Sequence, residues 1–228
     1  MSATGPVRLV KCDIDGRVGI HVKLAERSAT VADLLAAMQD PADDAQVYKP
    51  LHKSRYGICA GCTYNCCKSN DIVLDLVAAE SIAGALSMPL TRFLRSYLRF
   101  DGSVMFPELR TRPCPFLMGN FCSVYAERAL ICRLYLCTPM SDELEQLRLA
   151  VLLMGNGALR QTMVRLGIAP RSWGESALRH SATYSRRPAD DLALLDRMLH
   201  ANPYLLGAAH NEVLLRDCCS DDLWNRLL

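Results

Sequence analysis

The sequence is poor in charge imbalance, in histidine and in long apolar runs. Its 26 Lys and Arg against 24 Asp and Glu leave a net charge of +2 over 228 residues. That is no field for drawing in nucleic acid. No apolar run approaches the roughly 20 residues needed to span a bilayer. The longest, around Leu149 to Met154, soon meets Gly155-Asn156-Gly157. The start, Met1-Ser2-Ala3-Thr4-Gly5-Pro6, lacks the charged region and apolar core of a secretory signal. The expected setting is therefore the cytoplasm.

Familiar catalytic patterns are missing too. There is no Gly-rich phosphate loop, no HExxH and no Ser-His-Asp order. Gly155-Asn156-Gly157 lacks the lysine and strand context of a phosphate loop, and Gly174-Glu175-Ser176 lacks a nucleophile elbow. No S-adenosylmethionine site is readable. His21, His52, His180, His200 and His210 are the five histidines, with no metal-type spacing among them.

Cysteine is what the chain has in excess. Eleven are present, and eight lie between Cys59 and Cys137. In a reducing compartment, clustered thiols bind metal or do redox chemistry more often than they form structural disulfides. An odd count argues the same way. Thiolate is a soft ligand suited to zinc, copper(I) and iron–sulfur clusters. Cys59 and Cys62 make a C-x2-C clip, with Gly61 letting the turn approach a metal closely. Cys66 and Cys67 are adjacent, so in extended chain they point to opposite sides. Either they serve two centres, or one is a ligand and the other packs. Downstream stand Cys114, Cys122, Cys132 and Cys137, with no histidine among them, which favours all-thiolate ligation. Eight ligands would build two four-cysteine sites or one polynuclear cluster. Spacing alone does not choose between a closed zinc site and a [4Fe–4S] cluster.

The pattern Cys59-x2-Cys62-x3-Cys66-Cys67, then Cys114-Pro115-Phe116-Leu117, Cys122-Ser123-Val124-Tyr125, Arg128, and Cys132-Arg133-x-Tyr135-x-Cys137 resembles the YkgJ-type CxxCxxCC cysteine-cluster family. That family is described as zinc- or iron-chelating. The resemblance covers about 80 residues and is most specific in its second half. It implies a bound metal held by Cys59, Cys62, Cys66, Cys67, Cys114, Cys122, Cys132 and Cys137, in a cytoplasmic protein, with an iron–sulfur cluster of the [4Fe–4S] type ahead of zinc. The departures are Thr63-Tyr64-Asn65 where two residues are usual, and Ala129 and Leu136 where the family carries proline. A relative with known chemistry is the flagellin lysine N-methylase, so an N-methylase-like enzyme is a further alternative.

Other residues carry two readings each. Arg128 and Arg133 flank Cys132, and either offset thiolate charge, grip an anion or fix loop carbonyls. With Tyr135 they are the expected cofactor-side residues; Tyr125 and Tyr135 also suit half-buried packing. Cys12 reads as a small buried hydrophobe. Cys218-Cys219 reads as local packing or a surface thiol.

The fold expected is α+β and mostly helical. An irregular, metal-stabilised cysteine-cluster domain (45–140) follows an N-terminal hairpin and helix unit (1–44), with a helical C-terminal part (141–228) packed on it. Val18, Ile20, Val22 and Leu24 alternate with polar or small residues, and Asp15-Gly16 is a hairpin turn. Ser28 or Thr30 caps a helix that Pro41-Ala42-Asp43-Asp44 ends. After a short strand at Ile72–Leu74, Asp75 caps a helix to Leu86. A second helix follows Pro89, burying Phe93 and Leu94 and exposing Arg92, Arg95 and Arg99. Val104 to Tyr125 reads as irregular β, turning at Met118-Gly119-Asn120. Helices are expected over Glu127–Leu134, from Ser141, over Pro188–Leu199 and over Asp221–Leu228. The function expected is a metal-binding protein with one or two iron–sulfur centres. It would act in electron transfer or as an accessory factor, with a redox partner or client enzyme. A zinc-stabilised interaction module is the alternative.

Overall fold

The computed structural model describes residues 5–43, 66–68, 70–101, 104, 106–136, 138–170, 197 and 201–228, without the side chains of 40, 42 and 43. The connector 45–58, Cys59, Cys62, Cys137 and, apart from Arg197, the helix expected over 188–199 lie outside these residues.

Strands β1 (Val7–Ile14) and β2 (Arg17–Leu24) form an antiparallel hairpin with Val7 opposite Leu24 and Ile14 opposite Arg17. Asp15 and Gly16 both take positive φ, 52° and 72°. That is the two-residue turn whose twist matches paired strands. Asp13 fixes it by accepting the Gly16 N–H at 3.1 Å. Val7, Leu9, Ile20, Val22 and Leu24 face inward.

Helix α1 (Val31–Asp43) starts at Thr30. The Thr30 hydroxyl accepts the Asp33 N–H (3.2 Å), and the Asp33 carboxylate accepts the Thr30 N–H (2.8 Å). This reciprocal pair satisfies two otherwise orphaned donors. The helix ends at Asp43, within the expected stop Pro41-Ala42-Asp43-Asp44, and Pro41 sits inside its last turn. There the ring removes only one late backbone bond.

Residues 72–74 run beside 107–109. Leu74 donates to the Pro107 carbonyl (3.0 Å) and Leu109 to the Ile72 carbonyl (2.8 Å). The expected strand is thus one bridge, Val73 to Glu108. Helix α2 (Leu76–Ala85) begins at the Asp75 cap, and α3 (Leu90–Tyr97) follows Pro89. Phe93, Leu94 and Leu98 are fully buried. Arg99 was expected on the helix face. It lies instead in β3 (Leu98–Arg99), paired with β4 (Glu108–Leu109), where it meets Glu108 as an ion pair.

Strands β5 (Leu117–Met118) and β6 (Phe121–Cys122) form a small hairpin, with Gly119 at φ 62° in its turn. Helix α4 covers only Leu130–Arg133, shorter than expected. Ala129 is extended at ψ 153°, so the helix cannot begin before it.

Helix α5 (Asp142–Arg165) is the longest element described, and it passes through Gly155-Asn156-Gly157 unbroken. Ser141 caps it through the Leu144 N–H at 3.3 Å. It packs against β2, α2, α6 (Leu215–Cys218), α7 (Asp221–Leu227) and the 3-10 turn Pro203–Leu206. Leu144, Leu147, Val151 and Leu159 have no exposed surface. Each such side chain contributes about 1.5–3 kcal/mol relative to an exposed one. One apolar core runs from the N-terminal hairpin through α1, α2, α5 and α7. The architecture is mixed α+β with helices dominant and only two-stranded sheets among the described residues. No helix among them is long and apolar enough to cross a membrane.

Candidate metal centre

Five of the eight cysteines singled out by the sequence are described: Cys66, Cys67, Cys114, Cys122 and Cys132, all half-buried free thiols. Cys59, Cys62 and Cys137 lie outside the described residues. Cys66 and Cys67 open a single 3-10 turn, Cys66–Lys68. Turned backbone, unlike extended backbone, brings adjacent side chains near one another, and their sulfurs share a hydrogen bond.

The two cysteine arms meet through the backbone. The Cys114 N–H donates to the Cys67 carbonyl at 2.7 Å. The next loop is held by Phe116, whose ring stacks on Tyr97 of α3 (centroids 5.5 Å). Tyr97 in turn stacks on Phe93 (5.2 Å). Cys122 stands opposite Leu117 in the β5–β6 pair. Cys132 lies in the middle of the one-turn helix α4.

Each of Cys114 and Cys122 has its sulfur facing a backbone N–H two residues on, from Phe116 and Val124 respectively. Such bonds favour the charged thiolate over the thiol. Burial works against them and raises both thiols overall. Burial also pushes Cys132 well up, and negative charge at Cys66, Cys114 and Cys122 adds to the effect. Cys66 is the exception. The hydrogen bond from Cys67 lowers it to about 7, while the same bond raises Cys67. Cys67, Cys114, Cys122 and Cys132 thus all feel negative charge at Cys66.

This donor set fits a thiophilic metal. Like-charged thiolates resist ionising together until a cation is present. Among the described residues, no group of three or more Cys, His, Asp or Glu is drawn together closely enough to hold a metal ion. The described thiols thus share a neighbourhood without forming a closed site by themselves.

Arg128 fixes loop backbone. It donates to the Tyr125 carbonyl (2.7 Å) and to Gln39 Oε1 of α1 (2.8 Å), and its guanidinium lies 3.7 Å from the Tyr125 ring centre. Its charge also favours the thiolates of Cys122 and Cys132. Burial lowers the Arg133 pKa, and nearby Arg128 lowers it further while Asp75 opposes. Tyr135 is half-buried.

Asp75 has a role the sequence did not show. Its Oδ1 accepts the Ala78 N–H of α2 (2.9 Å), the expected cap, and its Oδ2 accepts the Leu130 N–H of α4 (2.7 Å). The second bond spans 55 residues, so no local pattern signals it.

Outside this region, Cys12 is half-exposed, not buried as expected, because it sits on β1 opposite Gly19. Cys218 and Cys219 are fully buried, which fits local packing and excludes a surface thiol. Ser141, His21 and Glu143 also cluster. Ser141 Oγ (2.9 Å) and Glu143 Oε2 (3.6 Å) both face Nδ1 of His21. An imidazole met twice on one nitrogen cannot relay a proton between them as a hydrolytic triad does.

The model of the CxxCxxCC family, described as a putative zinc- or iron-chelating domain, matches residues 58–150. No curated protein and no solved structure matches the chain.

Proposed function

With a CxxCxxCC domain across residues 58–150 as the premise, we propose that this chain is a metal-binding protein with a cysteine-ligated iron–sulfur centre. The single observation that carries the reading is the convergence of the two cysteine arms. The Cys114–Cys67 backbone bond sets the arm of Cys66 and Cys67 against the arm of Cys114, and negative charge at Cys66 raises the thiols of Cys67, Cys114, Cys122 and Cys132. Cys59, Cys62 and Cys137 complete the ligand set on this reading. A bound cluster would supply one-electron chemistry, at a potential set by hydrogen bonds to sulfur and by exposure. The backbone N–H groups of Phe116 and Val124 are such donors.

A protein partner belongs to the same reading. Met118 and Phe121 form a cross-strand pair at the β5–β6 tip, 68% and 65% exposed. From Pro113 to Ala126 the chain carries no charged residue. A neutral, apolar rim beside the cysteines supports docking of a redox partner or client enzyme.

The test is purification without oxygen followed by metal analysis and a visible spectrum. The expected result is a brown protein with iron and acid-labile sulfide in comparable amounts. A colourless protein holding stoichiometric zinc would replace the cluster with a structural zinc site. A protein holding neither metal would remove the reading altogether.

A further inference from the structure

We propose that Asp75 is the positioning residue of the cysteine centre: its carboxylate ties the arm carrying Cys132 to the arm carrying Cys66 and Cys67. The inference rests on the metal-centre reading above.

Helix α4 is a single turn of four residues. A helix that short cannot hold itself in water. No side chain of its own caps it, since Ala129 occupies the N-cap position. Its first N–H, at Leu130, goes to Asp75 Oδ2 at 2.7 Å. Cys132 is two residues further, bonded back to the Ala129 carbonyl at 2.9 Å. The carboxylate therefore substitutes for the missing cap from across the fold, and it fixes the turn that presents Cys132.

The other end of the link is equally anchored. Asp75 has no exposed surface. Its Oδ1 caps α2, and residues 72–74 just before it are bonded to 107 and 109. Gly155 of α5 closes over both partners. A Cβ at 155 would lie 2.8 Å from Asp75 Cβ and 2.7 Å from Leu130 Cδ1. The long helix thus presses on the link where only glycine fits.

A cap alone needs one acceptor oxygen, and Ser, Thr or Asn would supply it. Asp75 uses two oxygens on two different helices. An asparagine has one acceptor oxygen and turns an N–H2 toward the second N–H. Asp75→Asn therefore keeps one bond and breaks the other with little change in volume.

The experiment titrates Co2+ into the metal-free full chain and reads the thiolate-to-cobalt charge-transfer absorption, whose intensity reports how many thiolates bind. Removing groups that orient metal ligands costs about 10–100-fold in metal affinity. Asp75→Asn is expected to weaken Co2+ binding within that range and to lower the absorption per metal. Ser141→Ala, which removes the α5 cap, is expected to lower the melting temperature and leave the spectrum unchanged. Should Asp75→Asn not fold, Leu130→Pro removes the donor instead, at a first helical position where proline is tolerated. It is compared with Leu130→Ala, which loses the same packing but keeps the N–H. If wild type binds Co2+ and these variants bind it with the same affinity and spectrum, Asp75 is only a helix cap and the inference falls. If wild type fails to bind Co2+ and holds no metal as purified, the metal-centre reading fails with it.

Discussion

The Cys114 N–H and the Cys67 carbonyl are joined at 2.7 Å, although 46 residues separate the two in sequence. This bond closes the loop formed by α2 and α3 and sets one cysteine arm against the other. A metal held by both arms would reinforce the same closure, so metal free energy would become folding free energy.

Cys114→Ser should therefore lower metal content and melting temperature together in protein purified without oxygen. Cys218→Ser makes the contrast. Cys218 is fully buried far along the chain, and a buried hydroxyl without a partner costs about 1–3 kcal/mol. It should destabilise the fold and leave metal content alone. Equal metal loss in both variants would point to global unfolding and not to ligation.

Loading should also release protons. Cys67, Cys114, Cys122 and Cys132 all have raised thiol pKa values in the metal-free chain. A metal ligand must be the thiolate. Apparent affinity for Zn2+ should therefore increase from pH 6 to pH 8 (a window of roughly these bounds, set by proton competition). Calorimetry in buffers of different ionisation enthalpy counts the protons released. In the metal-free chain Cys66, lowered to about 7 by the bond from Cys67, should be the first of these thiols alkylated by iodoacetamide. Uniform labelling of all five would contradict that ordering.

Much of the local structure was legible. The Asp15-Gly16 turn, the Asp75 and Ser141 caps and the Gly119 turn depend on neighbours in sequence, and each falls where the chain says. Arg99 did not, because strand pairing with Glu108 decided it. Among the cysteines, the sequence showed the clustering of thiols. The Cys67–Cys114 contact and the second Asp75 bond were not legible, since both are tertiary. The Cys66-Cys67 pair looked unsuited to one centre only while the backbone was assumed extended; the observed 3-10 turn removes that objection.

Acidification should destabilise the fold through two groups. His210 is packed against Tyr204, whose hydroxyl lies 3.0 Å from its Nδ1, and burial lowers its pKa from the ordinary 6.5. Between its folded and ordinary values the unfolded chain binds a proton that the folded chain does not. Its contribution is therefore complete above about 6.5 and is lost as pH falls below that. Glu143 is held below its ordinary 4.5 by a backbone N–H first, then by Ser141, Arg226 and His21, so its contribution fades at lower pH still. Urea melts of metal-free protein from about pH 8 down to about pH 3, below the ordinary carboxylate range, should show two successive losses. His210→Gln should flatten the first, and an unchanged profile in that variant would exclude His210 as its source.

Two glycine-to-alanine changes should move stability in opposite directions. Gly84 is exposed near the end of α2, and a Cβ there meets nothing within 4 Å. Gly84→Ala should stabilise by about 0.5–1 kcal/mol, the helix preference for alanine. Gly155→Ala gains the same preference, but its Cβ would fall 2.7 Å from Leu130 Cδ1 and 2.8 Å from Asp75 Cβ. Asp75 Cβ cannot retreat, because both carboxylate oxygens of that residue are bonded. Overpacking at such a contact costs about 1–3 kcal/mol, which outweighs the gain. Urea denaturation of the two variants in metal-free protein measures the difference, and a stabilising Gly155→Ala would show that α5 is free to shift away from the Asp75–Leu130 link.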